Sequence, residues 1–227
     1  MSVITVSRQT GSFGTLIGVG LARALGWRYV DREAIHRAAS AAGVPDVALA
    51  ELEYEGRRSF IERLLSALRY EPTVPPLPEM GESEGLTRPF SGILTPVLPP
   101  VAPTVQDYVN IVDELIRTIA IEGHVVIVGR AAQVLLADRR DVFHVQIIAP
   151  FELRVARLRA RRGEPRTLVI ERLHASDEAR RDYLRRFYNA DWRDPLLYDM
   201  VVNTAHLAIE PAIKLIALGW KEKTKRG

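Results

Sequence analysis

Five short apolar runs alternate with segments of helical periodicity, and this alternation constrains the fold more than any other feature of the chain. The runs are Val3–Val6, Trp27–Val30, Val125–Val128, Val142–Ile148 and Met200–Val202. Near-continuous apolar runs are typical of strands that are buried on both faces, as the strands of parallel sheets are. The pattern therefore predicts an α/β fold of three layers, α/β/α, with a five-stranded parallel sheet in the middle.

Helical periodicity fills the spaces between these runs. It predicts helices over residues 15–25, 32–42, 46–69, 104–122, 130–138, 150–162, 168–190 and 208–219. The basic stretch Lys221–Gly227 is predicted to be a frayed end. In such folds ligands bind at the carboxyl edge of the sheet, so the residues that follow each strand are the first candidates for a functional site.

Length and composition predict one soluble domain. The chain has 227 residues, of which 47 % are hydrophobic and 26 % are charged, and no apolar run approaches the length needed to cross a bilayer. We therefore expect no membrane association. The absence of cysteine excludes disulfides and thiolate metal sites, and the N-terminus reads as a strand rather than a signal peptide. Both features predict a cytoplasmic protein.

One long segment, residues 71–103, departs from the α/β pattern. It contains nine of the fourteen prolines, which excludes a regular helix or a central strand. We predict an insert within the single domain. A functional flap, a partner-binding segment and a partly disordered stretch all remain open for it.

The positive charge is carried almost entirely by arginine. The chain has 27 arginines and 4 lysines, and the first lysine is Lys214. Genomic base composition explains this bias well, but it does not explain why twelve arginines lie between Arg154 and Arg193. Because no lysine precedes Lys214, a positively charged side chain that binds phosphate in the first 213 residues must be arginine. Arginine keeps its charge and binds phosphate bidentately.

The first strand runs into the loop Ser7–Gly14 and then into a helix, which is where P-loop proteins bind phosphate. In the register G-x-x-x-x-G-K-[ST], Arg8 takes the place of the first glycine and Phe13 that of the second. Gly14 stands where the lysine belongs, and Thr15 keeps the hydroxyl. The loop has therefore lost the lysine, and the missing charge must come from an arginine.

Backbone N–H groups at a helix N-terminus bind anions without any lysine. We predict that Gly11, Ser12, Gly14 and Thr15 bind nucleotide phosphate with Arg8, and that the Thr15 hydroxyl is a ligand of Mg²⁺. The alternative is an ordinary strand-to-helix turn, in which the glycines only ease close packing.

A second candidate lies after the third apolar run, where Gly129 and Arg130 reach the carboxyl edge of the predicted sheet. We predict that Arg130 contacts the ligand at this edge. The alternative is an arginine at the start of a helix, exposed to water.

The arginine-rich segment of residues 154–193 is predicted to be mostly helical. On the helix that starts at Pro150, Arg154, Arg157 and Arg161 form one stripe, which favours a solvated face.

The apolar face of the following helix also contains charged residues. Charged side chains that are buried need partners of opposite charge. Asp177 and Arg181 are spaced for an intrahelical salt bridge. The alternative is that Arg180 and Arg181 lie over the transferring phosphate and stabilise its negative charge. Trp192 and Tyr198 are predicted to pack in the core rather than to line a base pocket.

Four stretches, taken in order, resemble the motifs of the cytidylate kinase-like family, a branch of the nucleoside monophosphate kinases. They are Val3–Arg37, Val125–Ala132, Asp177–Tyr188 and Tyr198–Thr204. The resemblance covers most of the chain outside the proline-rich insert. It implies a P-loop kinase core with a nucleotide-monophosphate lobe and a closing helical lid. The lid would be formed by the arginine-rich residues 154–193, with Arg161–Arg166 as its hinge.

The resemblance also implies an acceptor site. Asp31 and Arg37 keep a spacing of six residues that places the arginine on the acceptor phosphate, and Gly129 and Asp177 belong to the same site. Read from the residues alone, Asp31 is equally suited to be a helix N-cap with a solvated Arg37. Cytidylate kinases have an aspartate where this chain has Ala131.

The loop departs from the family as well. Where the family loop reads G-S-G-G-R, this chain has Phe13 in place of the glycine at the third position and Thr15 in place of the arginine. An aromatic side chain is compatible with phosphate binding at this position only if its ring points away from the phosphate or stacks on a base.

The leading prediction is a phosphotransferase that uses ATP and Mg²⁺, with Arg130, Arg180 and Arg181 as catalytic residues and cytidylate as the acceptor that the resemblance implies. A non-catalytic, nucleotide-binding regulatory protein of the same fold is the alternative. A nucleic-acid or polyphosphate binder is a third possibility, ranked last because few aromatic residues lie among the arginines.

Overall fold

A computed structural model describes residues 2–35 and 105–225, and for residues 105–108 it describes the backbone alone. Within these ranges one sheet contains β1 (Val3–Arg8), β2 (Arg28–Val30), β3 (Val125–Val128), β4 (Val142–Ile148) and β5 (Met200–Asn203). All neighbouring strands are parallel, in the spatial order β2-β3-β1-β4-β5. The predicted five-stranded parallel sheet is confirmed.

Six helices with complete bounds lie in the described part of the chain. They are α1 (Gly14–Leu25), α2 (Val105–Glu122), α3 (Ala132–Leu135), α4 (Phe151–Arg162), α5 (Arg166–Tyr188) and α6 (Ile209–Thr224). A further helix begins at residue 32 and is described as far as residue 35. The helix predicted over 46–69, the insert 71–103 and Arg37 lie outside the described residues. None of the described helices is both long and apolar enough to cross a bilayer.

Side chains of β1 alternate between two hydrophobic cores, one on each face of the sheet, as successive strand residues must. Val3 packs with Leu115 of α2, whereas Ile4 packs with Ile17 of α1 and Ile216 of α6. α1 and α6 therefore cover one face, while α2 and α3 cover the other. This is the predicted three-layer α/β/α arrangement.

The carboxyl ends of the strands meet at one edge of the sheet because all five strands run in the same direction. Arg8 ends β1, Gly129 follows β3 and Thr204 follows β5. Helices α4 and α5 reach this edge as a pair, joined by a small core of Val155, Leu158, Val169 and Leu173. The predicted functional edge is thus assembled from loops that are far apart in sequence.

The helix predicted over 130–138 is shorter than the sequence indicated, since α3 begins only at Ala132. Gly129, Arg130 and Ala131 all have left-handed backbone, with φ of +82°, +58° and +54°. A right-handed helix cannot pass through such residues. The chain therefore makes a tight left-handed turn immediately after β3.

The C-terminal helix is longer than predicted, because α6 continues to Thr224. Lys223, which was expected in a frayed end, donates to the carbonyl of Val142 at 2.8 Å and to both carboxylate oxygens of Asp199 at 2.7 Å. These bonds attach the last turn of α6 to the sheet.

Candidate active site

The loop between β1 and α1 turns on two residues with left-handed backbone. Gly11 has φ of +81°, and Phe13, which precedes α1, has φ of +64°. A Cβ added at Gly11 would lie 3.0 Å from the Cβ of Arg154, so α4 packs directly on the loop. No side chain caps α1, and the first N–H groups of a helix have no acceptor within the helix. These N–H groups are the part of the loop that suits a phosphate.

The carbonyl groups of the loop are bound from outside. Arg154 Nη1 donates to the carbonyl of Thr10 at 3.3 Å, and Arg157 Nη1 donates to that of Gly11 at 3.3 Å. The Thr204 hydroxyl lies 3.0 Å from the carbonyl of Ser12. Donors on α4 and after β5 therefore hold the loop in one conformation, with its carbonyl oxygens occupied by protein groups.

The Ser12 side chain serves the loop rather than a ligand. It is fully buried, and its hydroxyl lies 2.7 Å from the carbonyl of Gln9 and 3.1 Å from that of Ile147. The predicted contribution of Ser12 to phosphate binding is thus limited to its backbone.

Arg8 extends from the end of β1 across the first turn of α1 to the end of β3. Its Cβ and Cγ occupy the space that a side chain at Gly14 would need. A Cβ added at Gly129 would lie only 2.5 Å from Arg8 Nη1. Two glycines thus leave room for the Arg8 side chain, and its guanidinium lies where β1, β3 and α1 meet. Arg8 therefore brings a positively charged side chain to the first turn of α1, where the lysine is missing.

A buried cluster of charges lies beside this guanidinium. Asp177 of α5 accepts from Arg154 at 3.3 and 2.8 Å and from Arg180 at 3.3 Å. Burial and the positive charges of Arg8 and Arg154, opposed by the negative charge of Asp177, together lower the pKa of Arg180 to about 10. Two guanidinium groups therefore share one carboxylate, and the positive charge of Arg8 acts on Arg180 as well. The cluster thus has an excess of positive charge that favours an anion.

Arg180 packs on the ring of Trp192. The guanidinium of Arg180 lies 5.1 Å from the Trp192 ring, a cation–π distance. Trp192 is fully buried against Ala131 and Leu184, and the hydroxyl of Tyr198 donates to its carbonyl at 2.7 Å. Trp192 packs in the core, as the sequence favoured, and from there it sets the position of an arginine.

The left-handed turn after β3 is strained. A residue other than glycine costs about 1–2 kcal/mol in this conformation, and Arg130 and Ala131 both adopt it. Such strain concentrates at functional sites. Arg130 is half-buried and belongs to the same edge as Arg8, so the turn fits the predicted place of Arg130 beside a ligand.

Comparison with known proteins identifies the family. The sequence profile of the cytidylate kinase-like family matches residues 3–206. The chain belongs to this family. Its fold is that of the P-loop kinases, with the loop after β1 at the carboxyl edge of a parallel five-stranded sheet.

Individual relatives are more distant. A cytidylate kinase of Haloquadratum walsbyi (strain DSM 16790 / HBSQ001) is 31 % identical over 94 residues, which are 41 % of this chain and 48 % of the relative. The match thus spans about half the length of that protein. An uncharacterized protein from Eubacterium ventriosum ATCC 27560 has a TM-score of 0.60 at 16 % identity, with 97 % of this chain and 99 % of that one covered. This likeness shows a shared fold.

A gluconokinase from Sinorhizobium meliloti 1021 has a TM-score of 0.49 at 14 % identity, with 99 % of this chain and 94 % of that one covered. At that score nothing about this chain follows from the likeness.

Asp31 is the helix N-cap that the residues alone allowed. Its carboxylate accepts from the N–H of Ala34 at 2.8 Å and from the hydroxyl of Tyr29 at 3.0 Å. Burial, together with the negative charge of Asp31, raises the pKa of Tyr29 well above its ordinary value, so the tyrosine stays protonated and donates. Both carboxylate oxygens of Asp31 thus accept hydrogen bonds from the protein itself. These contacts are those of a helix N-cap, and they do not support the predicted role of Asp31 in the site for the acceptor nucleotide.

Arg181 does not point toward the cluster around Arg8. Its side chain is 45 % exposed and lies near Glu178 and Asp182 on the outer face of α5. The predicted salt bridge between Asp177 and Arg181 is not formed, because Asp177 faces inward to Arg154 and Arg180. The structure therefore brings Arg180 to the site and leaves Arg181 at the surface.

The predicted solvated stripe on α4 is also wrong for two of its three arginines. Arg154 is only 3 % exposed, and Arg157 is half-buried against the loop. The stripe was visible in the sequence, but its direction was not, because α5 packs alongside α4 and closes that side to water. Arg154, Arg157 and Thr204 are the site residues whose roles sequence reasoning missed.

A divalent cation has few protein ligands in the described part of the site. Thr15 lies in the first turn of α1, half-exposed, and no group of three or more acidic or histidine residues gathers within the described ranges. Mg²⁺ in nucleotide sites keeps several waters and binds mainly through substrate phosphates. The Thr15 hydroxyl fits this limited role.

Proposed function

We propose that the protein transfers the γ-phosphate of ATP to a nucleoside monophosphate, with cytidylate as the first acceptor to test. Membership of the cytidylate kinase-like family supports the class of reaction, and the name of the Haloquadratum relative supports the acceptor. The observation that carries the proposal is the convergence of Arg8 and Arg180 beside a loop whose carbonyl oxygens are already occupied.

Arg8 takes over the role of the missing lysine in this proposal. Its side chain comes from the strand side of the loop and passes position 14, which therefore has to be glycine. A guanidinium binds phosphate oxygens bidentately and keeps its charge at every physiological pH. Loss of the lysine therefore does not remove the positive charge from the loop.

Arg180 and Arg130 bind the transferring group. An oxygen of the acceptor phosphate attacks the γ-phosphorus, and the bond to the oxygen that bridges the β- and γ-phosphates breaks. Negative charge spreads over the equatorial oxygens in the transition state, so nearby arginines lower the barrier without acting as a base. Asp177 acts indirectly, because it positions Arg154 and Arg180 through its ion pairs.

ATP and Mg²⁺ fit the residues that are present. The excess positive charge around Arg8 suits a polyphosphate, and the hydroxyl of Thr15 suits the metal. When bound, the metal neutralises phosphate charge. The N–H groups of Gly11, Gly14 and Thr15 position the phosphates by hydrogen bonding.

A coupled assay with ATP, Mg²⁺ and a panel of nucleoside monophosphates tests the proposal. We expect Arg8→Ala and Arg180→Ala each to lower kcat/KM about 100- to 1,000-fold, the size of effect typical of losing one group that stabilises transition-state charge. Arg185→Ala is the matched control, because Arg185 lies on the exposed face of the same helix. Arg181→Ala should resemble this control.

Two results would contradict the proposal. The first is wild-type turnover that does not exceed that of the Arg8→Ala, Arg180→Ala double variant with any monophosphate. The second is full activity in both single variants.

A second candidate function is nucleotide binding without transfer, in a regulatory protein of the same fold. The observation that favours it is that Asp31, the acidic residue predicted at the acceptor site, is bound by Ala34 and Tyr29, while Ala131 replaces the family aspartate. Calorimetry separates the two functions. Binding of ATP without detectable transfer supports the regulatory protein, and failure to bind any nucleotide contradicts both.

Nucleotides are the only partners in this proposal, and the cytoplasm is the proposed location. A nucleic-acid binder is disfavoured by ion pairs that neutralise two arginines of the α4–α5 pair and by the scarcity of aromatic residues among the arginines. These pairs join Arg166 to Glu152 and Arg172 to Glu164. We therefore expect no membrane or nucleic-acid ligand.

A further inference from the structure

Phe13 is an unexpected residue at the most demanding backbone position of the loop. It precedes α1 with φ of +64°, where a bulky side chain is a true outlier and glycine would be unstrained. This strain makes the native backbone less stable. Something in the native structure must offset this cost.

The offsetting contact is with Arg157 of α4. The guanidinium carbon of Arg157 lies 4.0 Å from the centre of the Phe13 ring, well within the range of a cation–π interaction. The ring therefore covers one face of an arginine that also binds the loop backbone.

The same guanidinium also holds the backbone on either side. It donates to the carbonyl of Gly11 at 3.3 Å, to the hydroxyl of Thr204 at 2.9 Å and to the carbonyl of Thr204 at 2.7 Å. Thr204 is 4 % exposed, and its hydroxyl in turn lies 3.0 Å from the carbonyl of Ser12. Three consecutive loop residues are thus attached, directly or through Thr204, to one arginine.

We propose that Phe13 and Arg157 form a clamp that holds the phosphate loop in its binding conformation, with Arg157 as a positioning residue. The inference rests on the proposed function. A loop without lysine depends on its backbone N–H groups, and such groups contribute most when they are fixed before the ligand arrives. Phenylalanine in place of glycine supplies this rigidity, because it exchanges backbone freedom for a contact with α4.

A double-mutant cycle tests the clamp. Phe13→Gly removes both the backbone strain and the aromatic ring. If relief of strain were the only effect, the variant would be at least as stable as the wild type. The clamp predicts instead that the loop becomes more mobile. We expect Phe13→Gly and Arg157→Met each to raise KM for ATP about tenfold, and the double variant to raise it about tenfold rather than a hundredfold, since the two residues act as one unit. KM for the acceptor should not change.

Further variants separate the aromatic contact from simple packing. Phe13→Tyr keeps the aromatic face and should behave as the wild type, while Phe13→Leu keeps the bulk and should behave as Phe13→Gly. Arg159→Met is the matched control on α4, because Arg159 is exposed. If the Phe13→Gly variant fails to fold, the Tyr and Leu pair provides the same comparison.

Amide hydrogen exchange of residues 9–16 gives a readout that does not depend on catalysis. The clamp predicts faster exchange there in Phe13→Gly and Arg157→Met, with unchanged exchange in α2. Unchanged exchange in the loop, or independent effects that multiply in the double variant, would overturn the inference. A wild type without turnover would defeat the proposed function, while the loop exchange would still decide whether the clamp exists.

Discussion

At the scale of single residues, the position of Arg8 depends on two glycines. Gly14 lacks a side chain where the Arg8 stem passes, and Gly129 lacks one where the guanidinium ends. Each glycine is therefore required by the arginine rather than by the phosphate. A side chain at either position would move the positive charge that the proposed function needs.

Gly129→Ala should impair both stability and function. Gly129 has φ of +82°, so alanine there is strained, and its Cβ would lie 2.5 Å from Arg8 Nη1. We expect unfolding to be easier by about 1–2 kcal/mol and the affinity for ATP to fall about tenfold or more. Urea unfolding and calorimetric titration measure the two effects.

Gly26→Ala is the matched control, because Gly26 has φ of +67° and nothing within 4 Å of the added Cβ. It should lose similar stability and keep its affinity for ATP. Equal losses of affinity in both variants would show that Arg8 does not depend on Gly129.

At the scale of elements, the α4–α5 pair is joined to the loop by charge as well as by apolar packing. The side chains of Arg154 and Asp177 are only 4 % and 12 % exposed, and Arg154 continues to the carbonyl of Thr10. Removing one partner of a buried ion pair leaves the other uncompensated, which is far more costly than losing an exposed pair.

Asp177→Ala should therefore destabilise the protein by about 3–5 kcal/mol. Glu152→Ala breaks an ion pair with Arg166 whose side chains are 71 % and 52 % exposed, and it should cost at most about 1 kcal/mol. Urea unfolding of both variants provides the comparison. If Asp177→Ala lowered the free energy of unfolding as little as Glu152→Ala, the ion pair of Arg154 and Asp177 would not be what joins α4 and α5 to the loop.

At the scale of the whole molecule, the sheet contains a buried histidine. His144 of β4 is 6 % exposed, and its Nδ1 lies 2.7 Å from the hydroxyl of Thr5. Burial lowers the pKa of His144 to about 4, the positive charge of Lys223 also lowers it, and Asp199 opposes this shift. The histidine is therefore neutral in the folded protein at pH values where the unfolded chain already binds a proton.

Stability should fall as the pH decreases from about 6.5 to about 4. The unfolded histidine takes up a proton in this window and the folded one does not, so up to about 3 kcal/mol is lost. Urea unfolding at several pH values should show this slope in the wild type. His144→Gln should flatten it, whereas His206→Gln, which changes an exposed histidine, should retain it.

The elements of the fold were predictable because their signals are local. The runs Val3–Val6 and Val125–Val128 became β1 and β3 within two residues, since an apolar run buried on both faces is a property of the run itself. The same holds for the loop before α1, which lies between a strand and a helix in the sequence. The left-handed turn after β3 was not predictable, because Arg130 and Ala131 have no local preference for that conformation.

By itself the sequence determined the α/β class, the order of the strands along the chain, the family and the absence of lysine from the phosphate loop. Only the tertiary structure decided which arginines serve that loop. Arg8, Arg154, Arg157 and Arg180 face it, whereas Arg181 faces water. The physical reason is that helical periodicity specifies the relative directions of side chains within one helix, while the direction of each face relative to the sheet depends on packing against elements distant in sequence.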